Sequence, residues 1–369
     1  MFLVRSTYTL VPGLTARESN DRVVCVFMTI GTVILAIFVF GLLIFIHELG
    51  HFLSAKWSGV KVNEFALGMG PVLFRYQGEE TQYALRLFPI GGFVAMEGED
   101  ENSWDGRAFC NAALYKRIII IIAGAVMNIA LGFILLVYLS TQQPLFGTTT
   151  VALFEDNSVT NQWLKVEDEI THINGHRIRT SNDMIYELTR DRDGIMDFTV
   201  VREGKAQTLR DVAFQMDDVE GIGVIHLDFK VVGVPPTFTG TIRHSINWTG
   251  SVVKQVWGGL VDFVTGRYGF NQMSGPVGIT REIGKIAADS PGNYKQLLLM
   301  VAFITINLGV FNLLPIPALD GGKLLFLLLE LIRRRPVEAR YEGFVHAAGF
   351  VMLIGLMIAV TFNDIMKLF

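Results

Sequence analysis

VVCVFMTIGTVILAIFVFGLLIFIHELGHF, residues 23–52, joins a membrane signal to a chemical one. From Val23 to Ile46 it holds no charged residue, and a helix needs about 20 apolar residues to cross a hydrocarbon core of about 30 Å. The run then ends in His47-Glu48-Leu49-Gly50-His51. Side chains at i and i+4 share one helix face, so both imidazoles can meet one metal ion while Glu48, one residue along, reaches a water at that metal. Ionisable groups at the end of an apolar span are expensive to hold there and are functional by default. The plainer alternative is a pair of interfacial histidines with a capping acid.

The rest of the chain has the same texture. Ile118 to Phe154 and Gln296 to Leu319 hold no charged residue, and Gly343 to Asn363 has only His346 as an ionisable group. The second run is too long for one helix and is expected to end near Ser140, where Thr141, Gln142, Gln143 and Pro144 break the pattern. Over 369 residues the chain is 51% hydrophobic and 18% charged, with a mean hydropathy of +0.42. These values place it among membrane proteins. A net charge of −4 leaves no basic excess for nucleic acid, and 27 Phe with long aliphatic runs exclude disorder. Two cysteines, Cys25 and Cys110, stand in no metal-binding pattern and are read as bystanders.

The predicted fold is an α-helical polytopic membrane protein with four transmembrane helices, a membrane-associated β-hairpin and an inserted extracytoplasmic α/β domain. Its expected parts are an N-terminal extension (1–27), the first two spans with HExxH and the hairpin (28–140), the insert (141–235), an amphipathic connecting segment (236–295) and the last two spans (296–369). Lys56, Lys61, Arg75, Arg86, Arg107, Lys116 and Arg117 in one loop, and Arg333, Arg334, Arg335 and Arg340 in another, place both loops in the cytoplasm. Arg5, Arg17 and Arg22 then fall on the wrong side, a conflict that translation from Met28 would remove. A cleaved signal peptide is the other interpretation of the N-terminus, but no small-residue cleavage site follows the apolar run.

A catalytic zinc takes three protein ligands and keeps a position open. The third ligand must lie at membrane depth, which favours Asp320 in Asn312-Leu-Leu-Pro-Ile-Pro-Ala-Leu-Asp320-Gly-Gly. Pro315 and Pro317 prevent a regular helix, and broken backbone at that depth is tolerated only where it finds partners or lines a cavity. A proline kink followed by an aspartate helix cap is the alternative. Acids in the insert, such as Asp168, are expected to be replaceable.

HELGH closing a first span and NLLPIPALDGG closing a third resemble the site-2 protease family of intramembrane zinc metalloproteases, in its bacterial RseP-like branch. Leu67 to Pro71 (LGMGP), Phe88 to Val94 (FPIGGFV) and Ser274 to Ile279 (SGPVGI) also resemble motifs of that branch, in order, so the likeness spans nearly the whole chain. It implies that His47, His51 and Asp320 bind Zn2+, that Glu48 is the catalytic base and that Asn312 helps hold the substrate backbone. The segment from Ile90 to Glu97, with Gly91, Gly92 and Phe93, resembles a hairpin thought to offer a strand edge to an extended substrate. Implied partners are the lipid bilayer and single-pass transmembrane substrates, such as pre-trimmed anti-sigma factors or remnant signal peptides. The implied location is the bacterial cytoplasmic (inner) membrane.

A helical substrate hides its amides, and a strand edge would let the unwound segment re-form hydrogen bonds. Tyr83 to Phe88 and Phe93 to Met96 around Gly91-Gly92 are predicted to be two strands and a turn, an arrangement that an ordinary surface hairpin also explains. In the insert, Leu164 to Ile178 predicts a strand, an Asn-Gly turn and a strand, with a helix starting at Ser181 and another strand from Phe198. Residues 150–215 resemble a PDZ domain, a possible peptide or ectodomain site, though Asp156 to Trp163 replaces the usual small-residue stretch. Strands near Ile222 to Val232 are expected to close the insert, with His172, His176 and His226 as surface residues. Trp248 to Phe263 predicts an amphipathic helix, either at the membrane surface or packed on the insert. Two other classes stay open. A PDZ-bearing adaptor with a vestigial site is opposed by the complete His/Glu/His and Asp set. A metal transporter is opposed by having too few further polar residues in the spans, Asn128 and Asn307 among them.

Overall fold

The computed structural model describes residues 18–99, 103–191, 193–219, 222–267, 269, 273–289 and 294–367. Residues 1–17, most of the expected N-terminal extension, lie outside them. Helix α1 (Glu18–Ser58) carries the first apolar run straight into HELGH. A sheet follows from β1 (Val62–Gln77) and β2 (Gln82–Met96), then α2 (Leu114–Thr141). The insert comprises β3 (Phe146–Phe154), β4 (Glu169–Ile173), β5 (His176–Arg177), α3 (Ser181–Arg190), β6 (Ile195–Arg202), β7 (Lys205–Ala213), β8 (Met216–Val219), β9 (Ile222–Ile225) and β10 (Phe229–Val234). Five helices complete the chain: α4 (Phe238–Val264), α5 (Pro276–Asp289), α6 (Tyr294–Asn312), α7 (Asp320–Arg333) and α8 (Ala339–Met366). Among the described residues, four segments are long and apolar enough to cross a membrane: Ile30–Ser58, Leu114–Thr141, Tyr294–Asn312 and Arg340–Met366. These are the four expected spans.

As the two prolines require, the third apolar run is not one helix: α6 stops at Asn312, and α7 starts at Asp320 after a turn through Pro315 and Pro317. Two other features differ from expectation. The β-hairpin exists, but its turn is residues 78–81, not Gly91-Gly92. The backbone runs through those glycines inside β2, with Gly91 at φ 81°. Phe65 pairs with both Tyr83 and Val94, Ala66 with Ala84 and Phe93, and Leu67 with Leu85 and Gly92. The two halves of β2 thus flank one stretch of β1 from opposite sides. The connecting helix starts at Phe238, ten residues before the amphipathic pattern becomes visible, and packs Trp248 and Val252 with Leu136 of α2 and Ile306 of α6.

The insert is a five-strand path β10-β3-β4-β6-β7, with β5 paired to β4 and α3 packed on it. Asn174 and Gly175 take positive φ (48° and 77°), the turn that the Asn-Gly pair demands. Thr180 caps α3 in a capping box with Asp183. Asp168, expected to be replaceable without loss of metal or activity, has a structural role in the insert. It is buried, receives Nε and Nη2 of Arg202, each at 2.7 Å, and accepts the Lys165 amide at 2.8 Å. His176 and His226 lie at the surface, paired with acids. Strand β10 closes the sheet against β3, whereas β9 pairs with β8. Arg190 grips Asp262 of α4 with two bonds at 2.6 and 2.9 Å, and Lys254 of α4 meets the buried Glu187 of α3 at 2.9 Å.

Candidate active site

Helix α1 presents His47 and His51 one turn apart, their rings 4.8 Å between centroids. Both are buried, at 8% and 6% exposure. The turn before α7 brings in Asp320. Its shape requires glycine at 321, where a Cβ would lie 2.5 Å from the carbonyl carbons of Leu313 and Leu314. Ala318 holds a φ of 74°, rare for a residue with a Cβ, and its N–H donates to Nδ1 of His346 on α8 at 3.0 Å. A hydrogen bond from the last span therefore helps fix the strained turn two residues before Asp320.

Nε2 of His47 and Nε2 of His51 are 3.3 Å apart, and Oδ2 of Asp320 is 3.1 and 3.2 Å from them. This triangle suits an ion: a tetrahedron with bonds of about 2.0–2.1 Å has edges of about 3.3–3.4 Å. Oδ2 of Asp320 is buried and has no hydrogen-bond donor. The Nδ1–H of His51 donates to the carbonyl of Ile120 at 2.8 Å, which leaves the Nε2 lone pair facing the triangle. Among the described residues these three form the one group of His, Cys, Asp and Glu placed to hold a metal. The donor set of two imidazoles and a carboxylate fits zinc.

A cavity of about 210 Å3 opens beside the triangle, lined by Glu48, Gly92, Phe93, Val94, Lys323 and His346 among others. The last part of β2 therefore runs along the site. A Cβ on Gly92 would lie 2.9 Å from Cγ of Glu48, so that residue type sets how closely strand and acid approach. Gly91 does not line this cavity but turns toward Met69, where a Cβ would meet its Cε at 2.7 Å. Asn312, at the end of α6, places its Nδ2 3.3 Å from Nε2 of His47. Glu99, paired with Lys323 at 2.6 Å, lines both this cavity and a second one of about 890 Å3. Glu99 and Lys323 do not stand out in the sequence, and His346 does so only as the one ionisable group of the last apolar run, since nothing in their spacing connects them to HELGH.

The family model for peptidase family M50 matches residues 35–356, which contain every one of these groups. The chain belongs to that family. It is 36% identical over 338 residues to a protein of Clostridium acetobutylicum described as a zinc metalloprotease, covering 92% of this chain and 98% of the relative. It is 31% identical over 434 aligned positions to the regulator of sigma-W protease RasP of Bacillus subtilis, covering 93% and 100%. It is 30% identical over 424 positions to the zinc metalloprotease RasP of Geobacillus kaustophilus, covering 92% and 99%. As a member of M50 with four apolar spans, it is an intramembrane zinc metalloprotease, and its metal is Zn2+.

Proposed function

We propose that His47, His51 and Asp320 are the zinc ligands and that Glu48 is the general base, in a protease that cuts single-span membrane proteins within the bilayer of the bacterial cytoplasmic membrane. The observation that carries this reading is the triangle of three ligand atoms about the orphaned Oδ2 of Asp320, with Glu48 on the cavity beside it. A zinc ion held there supplies Lewis acidity, lowering the pKa of water and polarising a peptide carbonyl. Glu48 takes a proton from the attacking water and delivers it to the leaving amine. The stretch of β2 from Gly92 to Met96 pairs with β1 on one side only. Its other edge hydrogen-bonds an unwound substrate, with Phe93 beside it and Asn312 holding the substrate backbone.

The insert is the PDZ-like part and stands outside the cytoplasm, while the hairpin side faces the cytoplasm. It acts as a gate that turns away substrates with bulky external domains, so the substrates are pre-trimmed anti-sigma factors or remnant signal peptides. The test of the central claim is Glu48→Gln, assayed on a single-span substrate in detergent or nanodiscs. Cleavage should vanish while about one zinc per chain remains, because all three ligands are intact. Cleavage at near wild-type rate would sink the assignment.

A further inference from the structure

One face of α2 lies beneath the zinc ligands. The Ile120 carbonyl holds His51, Gly124 lies against both rings, and Asn128 reaches His47. Asn128 is fully buried at the middle of an apolar span, where a polar side chain is costly unless satisfied. Its Nδ2 lies 3.3 Å from Nδ1 of His47, while its Oδ1 has no hydrogen-bond partner. That pairing is incompatible with zinc on Nε2. A neutral imidazole that offers Nε2 to a metal carries its proton on Nδ1, so two N–H groups would face each other. Turning the amide by 180° exchanges its two ends at equal volume. The orphaned Oδ1 then meets the Nδ1–H, and both buried groups are satisfied by one hydrogen bond. The only other side-chain amide near Nδ1 among the described residues, Asn312, is closer to Nε2 (3.3 Å against 3.5 Å).

We infer that Asn128 is a positioning residue for the metal site: its Oδ1 accepts the Nδ1–H of His47, fixing the tautomer and ring plane that aim Nε2 at zinc, as the Ile120 carbonyl does for His51. This rests on the zinc-ligand assignment above. Partners of this kind change metal affinity by about 10–100-fold when removed.

The test uses the full chain in detergent micelles, with zinc affinity measured by chelator competition and the ligand field read from the visible absorption of the cobalt-substituted protein. Asn128→Leu keeps the bulk and removes the acceptor. It should weaken zinc binding about 10–100-fold and shift the cobalt bands. Asn128→Asp restores an acceptor and should bring affinity back to within a few-fold of wild type. Thr305→Val removes a different bond, from the Thr305 hydroxyl to the Asn128 carbonyl at 3.1 Å, and should leave zinc affinity and cobalt spectrum unchanged. If Asn128→Leu does not fold, Asn128→Ala, which adds no bulk, carries the same expectation. Wild-type zinc affinity and spectrum in the Leu or Ala variant would overturn the inference, and so would an Asp variant as weak as Leu. Wild-type zinc affinity in a protein carrying both His47→Ala and Asp320→Asn would instead sink the underlying ligand assignment.

Discussion

Gly124→Ala is a small change with a large expected effect. A Cβ at 124 would lie 2.8 Å from Cε1 of His47 and 2.8 Å from Cδ2 of His51, and closer still to Nε2 of His51. Ordinary contact begins near 3.4 Å, so both rings must withdraw by at least about 0.6 Å. Helix α2 cannot retreat instead, because Gly309 of α6 already packs so tightly that a Cβ there would be 2.8 Å from the Ala125 carbonyl oxygen. Zinc–ligand distances tolerate about 0.2 Å. A misplacement approaching 1 Å costs about 100-fold in rate even where the metal stays. In a helix interior, alanine is otherwise favoured over glycine by up to about 1 kcal/mol, so unfolding is not the expected route of failure. Zinc per chain by mass spectrometry, cleavage rate, and helical circular dichroism as the check on folding decide the matter. Gly31→Ala, where a Cβ meets nothing within 4 Å, is the silent control. A folded Gly124→Ala protein with a full zinc complement and wild-type cleavage would show that α2 does not press on the ligand rings as described.

Asp320→Asn keeps the shape of the turn but loses the anionic donor, and zinc content and cleavage should both fall; normal values for both would require another third ligand. Asp168→Ala leaves the Arg202 guanidinium without its carboxylate, and should lower the stability of the insert by about 3–5 kcal/mol in a thermal or proteolytic assay without changing zinc content. Burial alone would raise the pKa of Asp228, but hydrogen bonds from the hydroxyl and amide of Thr160, the Ser158 hydroxyl and the Val159 amide hold it below its ordinary 3.8. Its stabilisation is therefore present above that value and lost as pH falls through the lower folded one. Hydrogen exchange across the insert should show Asp228→Asn less protected than wild type near pH 6, the difference closing in strong acid; a difference independent of pH would contradict this. Phe146 and Val234 are paired across β3 and β10, so removing 146–234 and joining the flanks with a short Gly/Ser bridge takes out the whole sheet. Cleavage of a trimmed substrate should persist and its untrimmed precursor should be admitted, whereas loss of the trimmed cleavage in a zinc-loaded protein would favour peptide capture.

The sequence made the spans and the candidate site legible because both obey local rules: apolar length for a helix, i and i+4 for two imidazoles, and Pro and Gly at a broken backbone before Asp320. The Asn-Gly turn and the start of α3 followed from turn and capping chemistry. What stayed hidden depends on contacts between distant segments. Gly91-Gly92 has the composition of a turn, yet β2 continues through it, because its second half finds the opposite side of the same β1 residues. Asn128 looked like a stray polar group in an apolar run until α2 was laid against α1. His346 was visible only as a lone histidine, and its bond to the strained Ala318 needs the α8 packing to be seen. Asp168 resembled any surface acid until Arg202 came to it from β6.

The double grip of Arg190 on Asp262 and the Glu187–Lys254 pair make the insert mechanically continuous with α4. Their carboxylates are buried, so separating the insert from α4 would break hydrogen-bonded ion pairs held away from water. Helix α4 is keyed by Trp248 and Val252 into α2 about two turns from Asn128. The insert is thus tied through α4 to α2, the helix against which the rings of His47 and His51 pack, and a load on it would reach that helix through Trp248 and Val252.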